Sequence, residues 1–473
     1  TSGDNNTAVG YNTGLSVTTA SQCVLIGHSA GDAITTGGNN VVIGALAFSN
    51  GTTQTHNVVI GRAAGQVATT NRSILIGSDS GENLSTDDCV FIGYKSGRAA
   101  TGAAFNTGVG GETFYSLTGG DYNVAVGYRS AYSTTGGDFN TSVGYQAGKS
   151  NVSGDYTVYV GANAGRDTTG GNNCFVGGLA GRNATTGTAN TIVGSQAVDN
   201  NTFTAGNCTV VGFTAGQDLT SGGNNTFIGS EAGHQATTGE GQVALGFEAL
   251  KDCTTGSGNI AIGKKAAENL TTGGSNTIIG YAAAGGAQVT GTANIIIGDA
   301  AGFDITSGGN NIIIGRNAGR AGSQTPQSMG AIITASNEIQ LGNESHSSAL
   351  VQVSWTVNSD GRDKTDVNDL DLGLDFIDSL RPITYRWDKR SKYDDKKPTG
   401  EHKESKLEVG LIAQEVIEQE NKAGYNFEDD TNLFSWESED KNKVGLQYEK
   451  LVPALINAIK ELKAEIEILK SKN

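Results

Sequence analysis

A glycine recurs every 16 to 18 residues, nineteen times in succession, from Gly10 to Gly315. No other feature constrains the fold as much, because equivalent units at a near-constant spacing must stack, each coil resting on the last. Around each glycine runs one pattern: Asn, two residues, Ile or Val, Gly, two residues, then a small residue. It is read in Asn57–Ala64, Asn140–Ala147 and Asn294–Ala301.

One coil follows from elementary chemistry. The triplet before the glycine (Val41-Val42-Ile43, Ile295-Ile296-Ile297) is short and β-branched and predicts a strand. Glycine then allows a bend that a Cβ would block. The small residue three positions on suits a crowded interior, and runs such as Thr35 to Gly38 and Thr306 to Gly309 carry turn chemistry. Asn at the start of each unit can bond to its equivalents in stacked coils. The expected fold is therefore mainly β, with a parallel β-solenoid or β-roll over 1–320. At about 4.8 Å per coil it makes a shaft roughly 90 Å long. An interwoven triple β-helix remains an alternative geometry for the same residues.

Charge density divides the chain. Residues 360–473 hold 26 of the 48 acidic and 19 of the 32 basic residues but only 6 of the 70 glycines, which sets a boundary near 359. Residues 321–358 break the period. They contain a last strand-like piece ending at Gly342 and an alternating segment, Ala349–Val357, expected as a junction strand. The net charge of −16 disfavours nucleic acid and anionic membrane surfaces as partners, and no apolar stretch is long enough for a membrane span. The cysteines, 23, 89, 174, 208 and 253, lie at least 34 residues apart, so no CxxC site forms and they read as small buried hydrophobes. The five His show no ligand spacing, and neither metal nor cofactor is expected. Gly258–Lys265 mimics a phosphate loop but lacks its closing Ser or Thr and falls on the repeat. The chain opens on Thr1 and its one methionine is Met329, so it is expected to be a fragment or a processed product.

The last region has its own vocabulary. Ser359-Asp-Gly-Arg-Asp-Lys364-Thr-Asp-Val367, Leu380–Trp387, Val409-Gly-Leu-Ile-Ala-Gln-Glu-Val416 and Tyr448–Leu462 follow one another in order. This series resembles the intramolecular chaperone family that closes phage endosialidase tailspikes and many tail fibres. Asp363 departs from it, where an apolar residue is common, and is expected to face solvent. The resemblance implies an α+β chaperone over 359–473 and a homotrimer. Val452, Leu455, Ile459, Leu462, Ile466 and Leu469 follow a 3-4 spacing, the seam of a coiled coil. By composition that seam leans toward a dimer; the resemblance implies three strands. The shaft repeats resemble the head repeats of trimeric autotransporter adhesins and shaft repeats of phage fibres.

In the chaperone family the motif serine and the lysine five residues later form a self-cleaving dyad, which here implies Ser359 as nucleophile and Lys364 as general base. A serine hydroxyl attacks only when a base takes its proton, and a lysine is such a base only when desolvation or a nearby cation lowers its pKa. Arg362 is the candidate cation. The scissile bond is expected at Asn358–Ser359, with Ser359–Asp360 as the alternative. The reading is a virion tail fibre or tailspike outside the cell, binding a host-surface receptor, with glycans among the candidate ligands. Its enzymatic activity, if any, is directed at its own chain. A glycan-degrading tailspike and a cellular trimeric adhesin are the rivals. Tyr128, Tyr145, Phe247 and Tyr281 each follow an anchor glycine and should align along one edge, as subunit packing or as a platform for sugars. Glu112, Glu231 and Glu248 share a repeat position and are expected as solvated side chains, with no paired carboxylates for glycoside hydrolysis.

Overall fold

The computed structural model describes residues 3–200, 202–320, 334–343, 346, 352, 359–393, 397–437 and 444–472. The expected junction strand at 349–357 thus lies, Gln352 apart, outside the described residues. The chain forms two compact units: Thr1–Ala318 with Ser336–Leu341, and Gly319–Ala335 with Gly342–Asn473.

In the first unit, three-residue strands run from β1 (Thr7–Val9) to β20 (Ile339–Leu341), and each pairs in parallel with its sequence neighbours. Register is strict: in β8 (Val124–Val126) and β9 (Thr141–Val143), Val124 faces Thr141 and Val126 faces Val143. Because consecutive strands of one chain pair with each other, the shaft is a single-chain β-solenoid, and the interwoven triple helix is not what forms.

The anchor glycines are required sterically. Gly127 has φ +123°, and a Cβ on it would sit 2.5 Å from the carbonyl oxygen of Gly144 in the next coil. The asparagines form the expected rows. Asn123 Oδ1 accepts from the backbone N–H of Asn140 at 2.8 Å, and its Nδ2 donates to the Gly137 carbonyl at 2.9 Å. Asn106 serves the N–H of Asn123 in the same way at 2.8 Å. Each bond satisfies a backbone group that a narrow coil would otherwise bury unpaired. Cys89 and Cys208 occupy the asparagine position in their own coils, where their N–H groups are capped by Ser73 Oγ and Asn190 Oδ1. Burial pushes both thiols above their ordinary range, and pushes Cys253 up to about 12.

Each strand has two faces, although it is only three residues long. From β2 (Val24–Ile26) to β19 (Ile312–Ile314) the middle residue is buried, with Leu75, Phe91, Tyr159 and Phe227 filling the coil interior. The first and third residues point to the other face and are half-buried or exposed, as are Val124 (36%), Ile260 (37%) and Ile295 (39%). Along the solenoid these outward rows are Val, Ile and Leu, with Thr and Cys174 as the exceptions. All-parallel sheets are normally covered on both faces. Among the described residues nothing covers this one.

The second unit is α+β. A short helix α1 (Leu374–Ser379) leads to β21 (Ile383–Tyr385), which pairs antiparallel with β22 (Glu408–Gly410). Helix α2 (Ala413–Lys422), a hairpin of β23 (Ser435–Glu437) and β24 (Val444–Leu446), and helix α3 (Leu451–Ser471) complete it. Leu372, Phe376, Val416, Phe434, Leu451 and Ala454 make its core. Buried Glu420 on α2 accepts from the N–H groups of Leu433 and Phe434 at 2.8 and 2.7 Å, and also from Ser435 Oγ, which ties the hairpin to the helix. Helix α3 docks through Leu451, Ala454 and Ala458; Glu461 accepts from the Leu374 N–H at 2.6 Å and Asn457 donates to the Leu370 carbonyl at 2.8 Å. Its 3-4 seam is on another face and stays open: Leu455, Ile459, Leu462 and Leu469 are 44–66% exposed. No helix among the described residues is long and apolar enough to cross a membrane.

Candidate functional site

The Ser359 motif forms a tight local structure. Asp360 caps a single 3-10 turn, Gly361–Asp363, by accepting from the Arg362 N–H at 3.0 Å. That turn brings the following residue, Lys364, back over Ser359, and Lys364 Nζ donates to Ser359 Oγ at 2.6 Å. The two residues singled out as nucleophile and base are thus in direct contact, and both are exposed. Asp363 faces solvent, as expected. Asn358, on the far side of the expected scissile bond, lies outside the described residues.

Arg362 does not take the expected place. Its guanidinium is paired with Asp360 at 2.6 Å, and those hydrogen bonds hold the Asp360 carboxyl below the usual carboxylate range. A cation already neutralised by an adjacent carboxylate is a poor source of the field that would lower a lysine pKa. The signal was in the sequence, since an aspartate two residues before an arginine on a tight turn competes for it.

Residues 359–425 match the family model described as chaperone of endosialidase. No curated protein and no solved structure is significantly similar to the chain. The chaperone-of-endosialidase match opens at Ser359 itself and contains Lys364, the β21 strand and the whole of α2. The terminal-helix motif at 448–462 lies beyond it. Such a segment behind a β-solenoid of about 17-residue coils fits a protein of the phage tail-fibre or tailspike type.

On the shaft, the aromatic residues after the anchor glycines do align: Tyr128 and Tyr145 stack at 6.0 Å, and Tyr11 stacks on His28 at 5.4 Å. The three equivalent glutamates are less solvated than expected. Glu112 pairs with Arg129 at 2.6 Å, and Glu231 with Lys251 at 2.8 Å. Glu248 is buried between Lys251 and Lys265, at 2.9 and 3.0 Å. Burial works against its charge, yet hydrogen bonds from the two lysines hold its carboxyl below the usual range. Lys265 of the loop-like segment is engaged by Glu248 and Glu268. Among the described residues no group of His, Cys, Asp and Glu is arranged to hold a metal.

Proposed function

We propose that the protein is a homotrimeric virion fibre for host attachment, assembled by its C-terminal chaperone, which then releases itself by Ser359–Lys364 autoproteolysis. The observation that carries the reading is the apolar sheet face left open along the shaft among the described residues, in one chain with a chaperone-of-endosialidase match and, beyond it, helix α3, whose seam is also exposed. Three copies packed face to face bury both surfaces at once. A long β-shaft has many registers that differ by one coil, so a module that sets the register first prevents slippage.

The cleavage chemistry follows from chain geometry. Ser359 Oγ reaches its own carbonyl only through a strained four-membered ring, but the Asn358 carbonyl through a five-membered one. Lys364 takes the hydroxyl proton, Oγ adds to the Asn358 carbonyl carbon, the C–N bond breaks, and the proton passes to the leaving amine. Water hydrolyses the resulting ester, leaving a shaft that ends at Asn358 and a fragment that starts at Ser359. A lysine amine works as a base once it is withdrawn from water, and we assign that step to the assembled trimer, because both side chains are exposed in the chain alone. Cleavage then follows folding and traps the shaft kinetically.

Intact mass of freshly assembled protein tests this. Wild type should split at Asn358–Ser359, while Ser359→Ala and Lys364→Ala stay whole and trimeric. A fully assembled wild type that never splits removes the proteolytic step and leaves the chaperone role standing.

A further inference from the structure

The position five residues before each anchor glycine is polar or small along most of the shaft, as at Asn39, Arg72, Asn172, Asn224 and Ser275. In four successive coils it is instead Phe105, Tyr122, Phe139 and Tyr156, which stack at 4.9, 5.2 and 5.2 Å and are 47–62% exposed. Their planes are within 11° of parallel. Stacked carbons approach to about 3.5–4.0 Å, so rings whose centres lie this far apart are offset and leave part of each face open.

A second row accompanies them. Asp121, Asp138 and Asp155 immediately precede three of these rings. Each spends one carboxylate oxygen on a backbone N–H of the coil before, at 2.7, 2.8 and 2.8 Å, and makes no other bond among the described residues. Equivalent positions elsewhere are mostly Gly, Ser or Thr.

We infer that this strip is a binding site for an extended, uncharged glycan laid along the shaft. The inference rests on the fibre reading above and names a ligand class for it. Three observations favour this occupant over a second copy of the chain. A subunit interface in a solenoid runs the whole length, as the apolar strand face does, whereas the aromatic row is confined to four coils, and three consecutive aspartates occur only beside it, Asp4 and Asp87 holding that position singly. Open ring faces beside carboxylate acceptors match a molecule with apolar C–H patches and many hydroxyl donors. One coil rises by about 4.8 Å, close to the length of one sugar unit in an extended chain. Three carboxylates in a row exclude acidic polysaccharides.

The test uses the full chain on an array of linear neutral, N-acetylated and uronic-acid oligosaccharides, beside the variant Phe105→Asn/Tyr122→Asn/Phe139→Asn. Asparagine is the residue that Asn39, Asn172 and Asn224 place in this same left-handed conformation, so the coils should fold. Native mass is read for both proteins. Wild type should bind uncharged oligosaccharides and not uronic ones. The variant should lose binding at least tenfold with unchanged assembly mass, and Ser275→Asn, at the same repeat position outside the strip, should keep it. No binding to any uncharged oligosaccharide overturns the inference. So does a variant that keeps its binding, or one that loses its assembly, which would make the strip a subunit contact. A wild type that is not assembled breaks the fibre reading instead.

Discussion

Replacing Asn123 with alanine isolates the contribution of one rung of the asparagine row. The side chain is fully buried and makes two bonds to the next coil, Oδ1 to the Asn140 N–H and Nδ2 to the Gly137 carbonyl. Asn123→Ala leaves both groups without a partner. A buried group so orphaned costs about 1–3 kcal/mol. The Asn140 amide is buried and bears that full cost, whereas Gly137 is only half-buried and water recovers part of it. The total comes to about 2–4 kcal/mol. Asn123→Ser should lose roughly half as much, because Ser73 already fills this position and its Oγ accepts from the Cys89 N–H at 3.1 Å. In a solenoid each coil contacts only its neighbours, so the loss should be local. Hydrogen exchange followed by mass spectrometry, on peptides covering 121–144, reads it directly. Exchange should quicken there in the order wild type, Ser, Ala, while the coils beyond Gly194 keep their protection. An alanine variant that exchanges like wild type would show that the row does not hold the coils together.

Two further outcomes follow from the shaft. Ile295→Asp, on the outward strand face, should abolish assembly or leave aggregated chains, because the charge sits in the surface that the proposed trimer would bury; size-exclusion chromatography reads this, and a variant with normal assembly would free that face of its role. Asp199 has a side chain only 6% exposed, and burial raises its carboxyl above the usual value despite Arg182 at 2.8 Å. A carboxyl with a raised folded-state pKa lends stability below its unfolded value that is lost as pH rises through the folded one. Asp199→Asn should therefore raise the melting temperature at pH 7, and that gain should shrink as pH falls toward about 3.9; a gain independent of pH would refute the cause.

Much of this was legible in the sequence because a repeat states its constraint many times. The anchor glycines, the strand triplets, the asparagine rows and the 3-4 seam of α3 follow from spacing and residue type, whereas β21 and α2 were legible only through the family resemblance. The second face of the sheet was there too, unread. A strand that buries only its middle residue needs one apolar side chain, yet Ile312-Ile313-Ile314 supplies three, and the surplus is the uncovered face. Left-handed residues were harder. Tyr122 and Leu46 have φ of 60° and 59°, which glycine or asparagine would signal. Here hydrogen bonds between coils impose the conformation whatever the side chain. The place of the cysteines was hidden for a related reason: the Cys89 N–H is capped from the preceding coil, so its own side chain need not accept. At the dyad, Ser359 and Lys364 were legible from the resemblance, but the capture of Arg362 by Asp360 depends on one turn that no periodicity marks.

Native mass spectrometry of the freshly folded protein, before any cleavage, tests the central claim most directly. Three copies of the 48.5 kDa chain in one particle, with no folded monomer, is the predicted result. A stable single chain whose solenoid is fully protected from exchange would contradict it, because the apolar strand face and the α3 seam would then both stand in water without a partner.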